Sequence, residues 1–87
     1  MTSNRRKLVD AGYEECVVFE RPDYDTAIIG ITDDNRVVYD MDLMVEHLVS
    51  TDSMSEIEAI EFIEYNTIRT LPYVEHAPII IRRVENL

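Results

Sequence analysis

Between Asp40 and Asn66 apolar residues recur at helical spacing in two successive runs, and this stretch limits the fold more than any other. Asp40 reads as an N-cap, its carboxylate accepting from the first free N–H groups of a helix. Met41, Met44, Val45 and Leu48 then fall at i, i+3, i+4 and i+7, one face of a helix ending near Ser50. Asp42 and Glu46 share the other face, where like charges repel weakly and prefer water. Ser53-Met54-Ser55-Glu56 has the spacing of a capping box and predicts a second helix from Met54 to about Asn66. Ile57, Ala59, Ile60 and Ile63 form its expected apolar stripe, with Phe62 at the margin. Glu58, Glu61 and Tyr65 line the opposite side at i, i+3 and i+7.

The flanks read as strands. Glu15 to Glu20 holds Cys16, Val17, Val18 and Phe19, a run of β-formers broken by Arg21-Pro22-Asp23. Thr26 to Thr32 contains Ile28, Ile29 and Ile31. Asp33-Asp34-Asn35 is a turn by composition, and Arg36 to Tyr39 follows, so these two strands predict a hairpin. Thr67 to His76 is loop-like. Pro78 opens a last strand, Ile79 to Val84, whose three isoleucines suggest burial on both faces. Residues 1–12 read as a short helix ending at Gly12, or a flexible arm.

The order β-β-β-α-α-β predicts an α+β fold. Its expected form is an antiparallel sheet of about four strands with two consecutive amphipathic helices packed on one face. A chain of 87 residues is expected to form one domain, and 46% hydrophobic content is enough for a core without metal or disulfide. Cys16 is the only cysteine, which suits a reducing cytoplasm. The apolar runs are far shorter than a spanning helix needs, and the basic start of the chain leads into no signal-like segment. The expected location is cytoplasmic.

The charge is lopsided. Eighteen acids stand against eight bases, a net charge of −10. From Val37 to Ile68 the chain carries Asp40, Asp42, Glu46, Asp52, Glu56, Glu58, Glu61 and Glu64 and neither lysine nor arginine. The bases lie mostly toward the ends: Arg5, Arg6, Lys7, Arg21, Arg82 and Arg83, with Arg36 and Arg69 between. Such a chain repels nucleic acid and anionic membrane, so direct binding to either is not expected. A solvated face that serves solubility is the plain reading. The sharper one is a surface for a basic protein partner. Helix neighbours about 5–6 Å apart approach the spacing of phosphates along a DNA strand, about 3.4 Å of axis, so mimicry of DNA is one form such binding takes.

Little points to catalysis. Gly12 and Gly30 are too few for a phosphate loop, and no GxSxG elbow is present. Cys16 sits in an apolar run, where an inert buried thiol is the ordinary outcome. Glu46 and His47 are adjacent on a helix and point about 100° apart, so they are no ligand pair. Asp23, Asp25, Asp33 and Asp34 lack the glycine and terminal glutamate of a calcium loop. The chain is expected to be no enzyme and to use no metal or cofactor.

One corner stands apart: Tyr65-Asn66-Thr67-Ile68-Arg69 followed by Leu71-Pro72-Tyr73. Arg69 suits the negative end of a helix, where it is expected either to pair with an acid or to join Tyr65 and Tyr73 in recognition. The candidate partner-binding residues are therefore Asp42, Glu46, Glu58, Glu61, Tyr65, Arg69 and Tyr73.

The segments Pro22-Asp23-Tyr24-Asp25, Ala27-Ile28-Ile29-Gly30, Arg36-Val37-Val38-Tyr39-Asp40, Glu58 through Arg69, Leu71-Pro72-Tyr73 and Ala77-Pro78-Ile79-Ile80 carry a resemblance. Together they are similar to a family of small acidic proteins of Gram-positive bacteria and their phages. The likeness covers about residues 20–81, and its specific part runs from Glu58 to Tyr73. The resemblance implies mobile-element ancestry and a non-enzymatic role, and it carries no catalytic residues with it. Small acidic phage proteins often inhibit host defences, CRISPR nucleases among them, so by analogy of lifestyle and charge it implies an anti-CRISPR-like inhibitor. The alternative is a structural or regulatory homo-oligomer that uses spare apolar helix surface at a self-interface.

Overall fold

The computed structural model describes residues 3–87. It is an α+β structure with a mixed sheet of three strands among the described residues. The expected sheet of about four antiparallel strands is thus corrected. Helix α1 spans Asn4–Asp10, β1 Ile28–Ile31, β2 Val37–Asp40, α2 Met41–Thr51, α3 Glu56–Asn66 and β3 Ile79–Ile81. Strand order is β1-β2-β3, with β1 antiparallel and β3 parallel to the central β2. The parallel pair follows from α2 and α3, which carry the chain back before β3 begins.

The missing strand is Glu15 to Glu20. Cys16, Val18 and Phe19 pack against the core and Val17 is exposed, but among the described residues the backbone finds no strand to pair with. The Phe19 N–H donates to the Tyr39 hydroxyl at 3.1 Å instead. The Phe19 ring packs on Tyr39 at 4.5 Å and edge-on to Tyr24 at 6.0 Å. The segment is therefore pinned by side chains. Cys16 is half-buried outside any strand, and its thiol donates to the Asn35 carbonyl at 3.1 Å.

Of residues 1–12, Asn4–Asp10 is helical, as one of the two readings had it, and residues 1 and 2 lie outside the described residues. Ser3 caps α1 by accepting from the Arg6 N–H. Asp25 accepts from the Asn4 and Arg5 N–H groups at 3.0 and 2.8 Å, which ties the helix to the turn before β1. Gly12, at φ +96°, ends it: its N–H returns to Val9 and that of Tyr13 to Leu8, the paired bonds of a Schellman stop.

The hairpin forms with Asn35 at φ 63° closing a tight loop. β2 then runs straight into α2 through Asp40, which is buried and caps Leu43 at 3.2 Å. Met41, Met44, Val45 and Leu48 all turn inward against Val37, Tyr39, Ala59 and Ile63.

Helix α3 starts two residues later than the pattern predicts. Ser53 takes a left-handed conformation, φ 55°, as α2 stops, so it cannot cap the next helix. Ser55 and Glu58 form the capping box instead. Ile57 also departs from its expected stripe and is 70% exposed. It is two residues from buried Ala59, about 200° around the helix, and so faces away from the core.

Beyond α3 a 3-10 helix over Ile68–Tyr73 replaces the expected loop. β3 is shorter than predicted and only half-buried, because it is an edge strand. Pro78 before it and Arg82 and Arg83 after it discourage further pairing. Among the described residues no helix is long and apolar enough to cross a membrane.

Tyr24 sits at the centre of the aromatic cluster, 1% exposed, with His47 edge-on at 5.5 Å. Its hydroxyl lies toward Thr67 yet makes no proper hydrogen bond, and burial pushes its pKa up to about 12. Losing an unpaired buried hydroxyl costs little. Tyr24→Phe should therefore match or exceed the parent in denaturant stability at neutral pH. The folded chain keeps this proton where the unfolded tyrosine, at 10.0, releases it. Stability attributable to the shift is thus intact below pH 10 and is lost as the pH rises toward 12. Tyr24→Phe should flatten that alkaline decline; an unchanged decline would show that another group causes it.

Candidate functional site

Six of the seven predicted partner-binding residues fall around two concavities, one on each side of α3. The first is an open groove of about 770 Å³ lined by Met54, Glu58, Glu61, Phe62, Glu64, Tyr65 and Arg69. It gathers four of the seven expected residues. The second, about 480 Å³, lies between α2 and α3 and includes Asp42, Glu46, Val49, Ile60, Arg82 and Leu87. Tyr73 lines neither and is 88% exposed. The expected corner of two tyrosines and an arginine therefore keeps only Tyr65 and Arg69 together.

The local reasons are visible in α3. Its N-terminus is fixed by the reciprocal bonds of Ser55 and Glu58, each 3.1 Å. The Ser55 backbone N–H holds the Glu58 carboxyl below its ordinary range, with the Ser55 hydroxyl adding to the effect. Glu58 therefore stays charged to lower pH than a free glutamate. Glu61 and Tyr65 follow at the next turns, with Phe62 half-buried between them. Arg69 lies with its guanidinium 5.0 Å from the Tyr65 ring centroid. Of the two expected roles, the ion pair is not formed, since among the described residues Arg69 has no carboxylate within salt-bridge distance.

Neutralisation is uneven. Asp40 is paired with Arg83 at 2.6 Å, and Glu64 approaches Arg82 at 3.7 Å. Asp42 accepts from the Asn86 amide at 2.6 Å. Among the described residues Glu46, Glu56, Glu58 and Glu61 lie in no ion pair. The second concavity is thus partly filled by the chain's own C-terminal segment, while the first stays open and negative.

The sequence missed the groove's floor. Phe62 was visible only as a marginal residue of the stripe. Met54 lies before α3 rather than inside it, and only the position of the true cap places it there. The Asp40–Arg83 bond was also missed, because its partners are 43 residues apart.

Elsewhere several acids serve local structure. Asp23 accepts from the Asp25 N–H, Asp25 holds α1, and Asp34 accepts from the Thr32 hydroxyl. The Thr32 contact holds the Asp34 carboxyl below its usual range. Among the described residues no three histidine, cysteine or carboxylate side chains converge as metal ligands. No protein-family model, curated protein or solved structure matches this chain.

Proposed function

We propose that this chain is a small non-enzymatic binding protein whose acidic helical surface engages a basic, nucleic-acid-binding surface of a partner protein. The observation that carries this reading is the open face of α3. Among the described residues Glu58 and Glu61 lie in no ion pair, and they stand beside exposed Tyr65 and half-buried Met54 and Phe62. An unneutralised acidic face raises the encounter rate with a basic one and repels nucleic acid and acidic proteins. The likeness to small acidic phage proteins supports a setting in the bacterial cytoplasm. The target there is a host defence enzyme such as an RNA-guided nuclease, and the acid face takes the place of DNA.

A differential capture tests this. The immobilised chain and a Glu61→Lys control are exposed to a lysate of a Gram-positive bacterium, with and without competing DNA. The reading predicts basic, nucleic-acid-binding proteins retained by the parent alone and displaced by DNA. A retained set indifferent to both the substitution and DNA overturns it.

A self-interface remains the second reading, favoured by exposed Ile57 and the unpaired outer edge of β3. The net charge of −10 opposes it. Light scattering separates the two: a monomer at physiological salt excludes the oligomer.

A further inference from the structure

We infer that the α3 groove takes an amphipathic basic helix of the partner, with its apolar stripe on Met54, Phe62 and Tyr65 and its lysines or arginines facing Glu58 and Glu61. This rests on the binding reading above and narrows it to one surface and one partner chemistry.

Three observations favour it. The first is the groove's composition, an apolar floor under an acidic rim. A purely electrostatic surface has no use for the floor, and a purely apolar interface would be weakened by the rim. Lysine and arginine satisfy both, because their stems cover apolar surface while their heads reach carboxylates. The second is direction. Glu58, Glu61 and Tyr65 recur at steps of three and four along α3, and Arg69, beyond its end, stacks back onto Tyr65, so the site runs along the helix axis.

The third is the kind of bond on offer. The backbone of α3 is internally hydrogen-bonded, so the groove presents no strand edge to an extended peptide. Recognition there rests on side chains laid along an axis, which is how a helix is read in a groove. A second copy is a poor occupant, since it would bring the same uncompensated glutamates against themselves. The other concavity is a poorer host, because Asn86 already bonds Asp42 within it and Leu87 lines it. Arg69 gives the groove polarity: the acids flank its start and middle, and the cation closes its far end.

The test uses the full chain and two synthetic peptides of about 15 residues made of leucine and lysine. One has leucines at i, i+3, i+4 and i+7, and the other is its scrambled isomer with equal charge. Affinity is read by fluorescence anisotropy and the site by amide NMR shifts. The expected result is at least about tenfold tighter binding of the amphipathic isomer, with shifts centred on residues 54–69. Tyr65→Ala, at an exposed position, should weaken that binding several-fold with an unchanged melting temperature.

Equal affinity for the two isomers overturns the groove assignment. So do shifts centred on Asp42 and Glu46, although the broader reading of an acidic binding surface then survives. Shifts on residues 54–69 without peptide, growing with protein concentration, overturn it in favour of a self-interface. Failure of both peptides to bind at low salt overturns the groove and the broader reading together.

Discussion

Replacing Asp40 by alanine should lower the unfolding free energy by about 2–4 kcal/mol, the largest effect expected of a single polar substitution. Asp40 is the last residue of β2 and the N-cap of α2, and it is 1% exposed. One carboxylate oxygen accepts from the Leu43 N–H at 3.2 Å and the other from Arg83 Nε at 2.6 Å. That second contact raises the arginine's already high pKa further. Alanine removes the cap from the Leu43 N–H and leaves Arg83 with only its 3.4 Å contact to Glu85. Asp40→Asn keeps the cap acceptor and the volume but loses the ion pair, so it should fall between the two. Chemical denaturation measures both. Equal stability of Asp40→Ala and the parent would mean that water replaces both contacts.

The second large effect is on binding. Glu58→Gln combined with Glu61→Lys should weaken association with a basic partner by about 10- to 100-fold. The choice of residues follows from α3. Glu58→Lys would break the capping box and confuse folding with binding, whereas glutamine can still bond the Ser55 N–H. Glu61 makes no internal contact of that kind, so it can be reversed outright. Asp42→Lys is a less direct probe, because it removes the bond to Asn86. The pair should leave the thermal transition within a few degrees of the parent. A binding loss matched by an equal loss of folding would assign these glutamates to stability alone.

What the sequence revealed depended on range. The Asp40 cap and the inward line Met41, Met44, Val45 and Leu48 are local, and the structure has them as read. The capping box was misplaced because Ser53 with Glu56 and Ser55 with Glu58 share one spacing. Only the left-handed Ser53 decides between them. Strand propensity at Cys16 to Phe19 was real, but propensity does not say whether a partner strand exists. The parallel placement of β3 is a long-range outcome with no local signal. At the candidate site the line Glu58, Glu61 and Tyr65 was legible from helical spacing. Its apolar floor and the diversion of Arg69 onto Tyr65 depend on where α3 starts and on how it turns into the next helix.

The acid surplus is therefore not one uniform face. Part of it is structural, in Asp25 and Asp40, and part is neutralised near the C-terminus. Of the remainder, Glu58 and Glu61 stand open along the groove side of α3, while Glu46 and Glu56 line the second concavity. If the open α3 face binds a basic surface, salt must weaken that binding by screening. The measurement is the affinity of the full chain for a DNA-displaceable basic protein captured by it, from about 50 to 500 mM salt. A steep fall is expected for the parent and a much shallower one for the Glu58→Gln, Glu61→Lys chain. Affinity that stays constant with salt, or falls equally in both chains, would contradict binding by the α3 face.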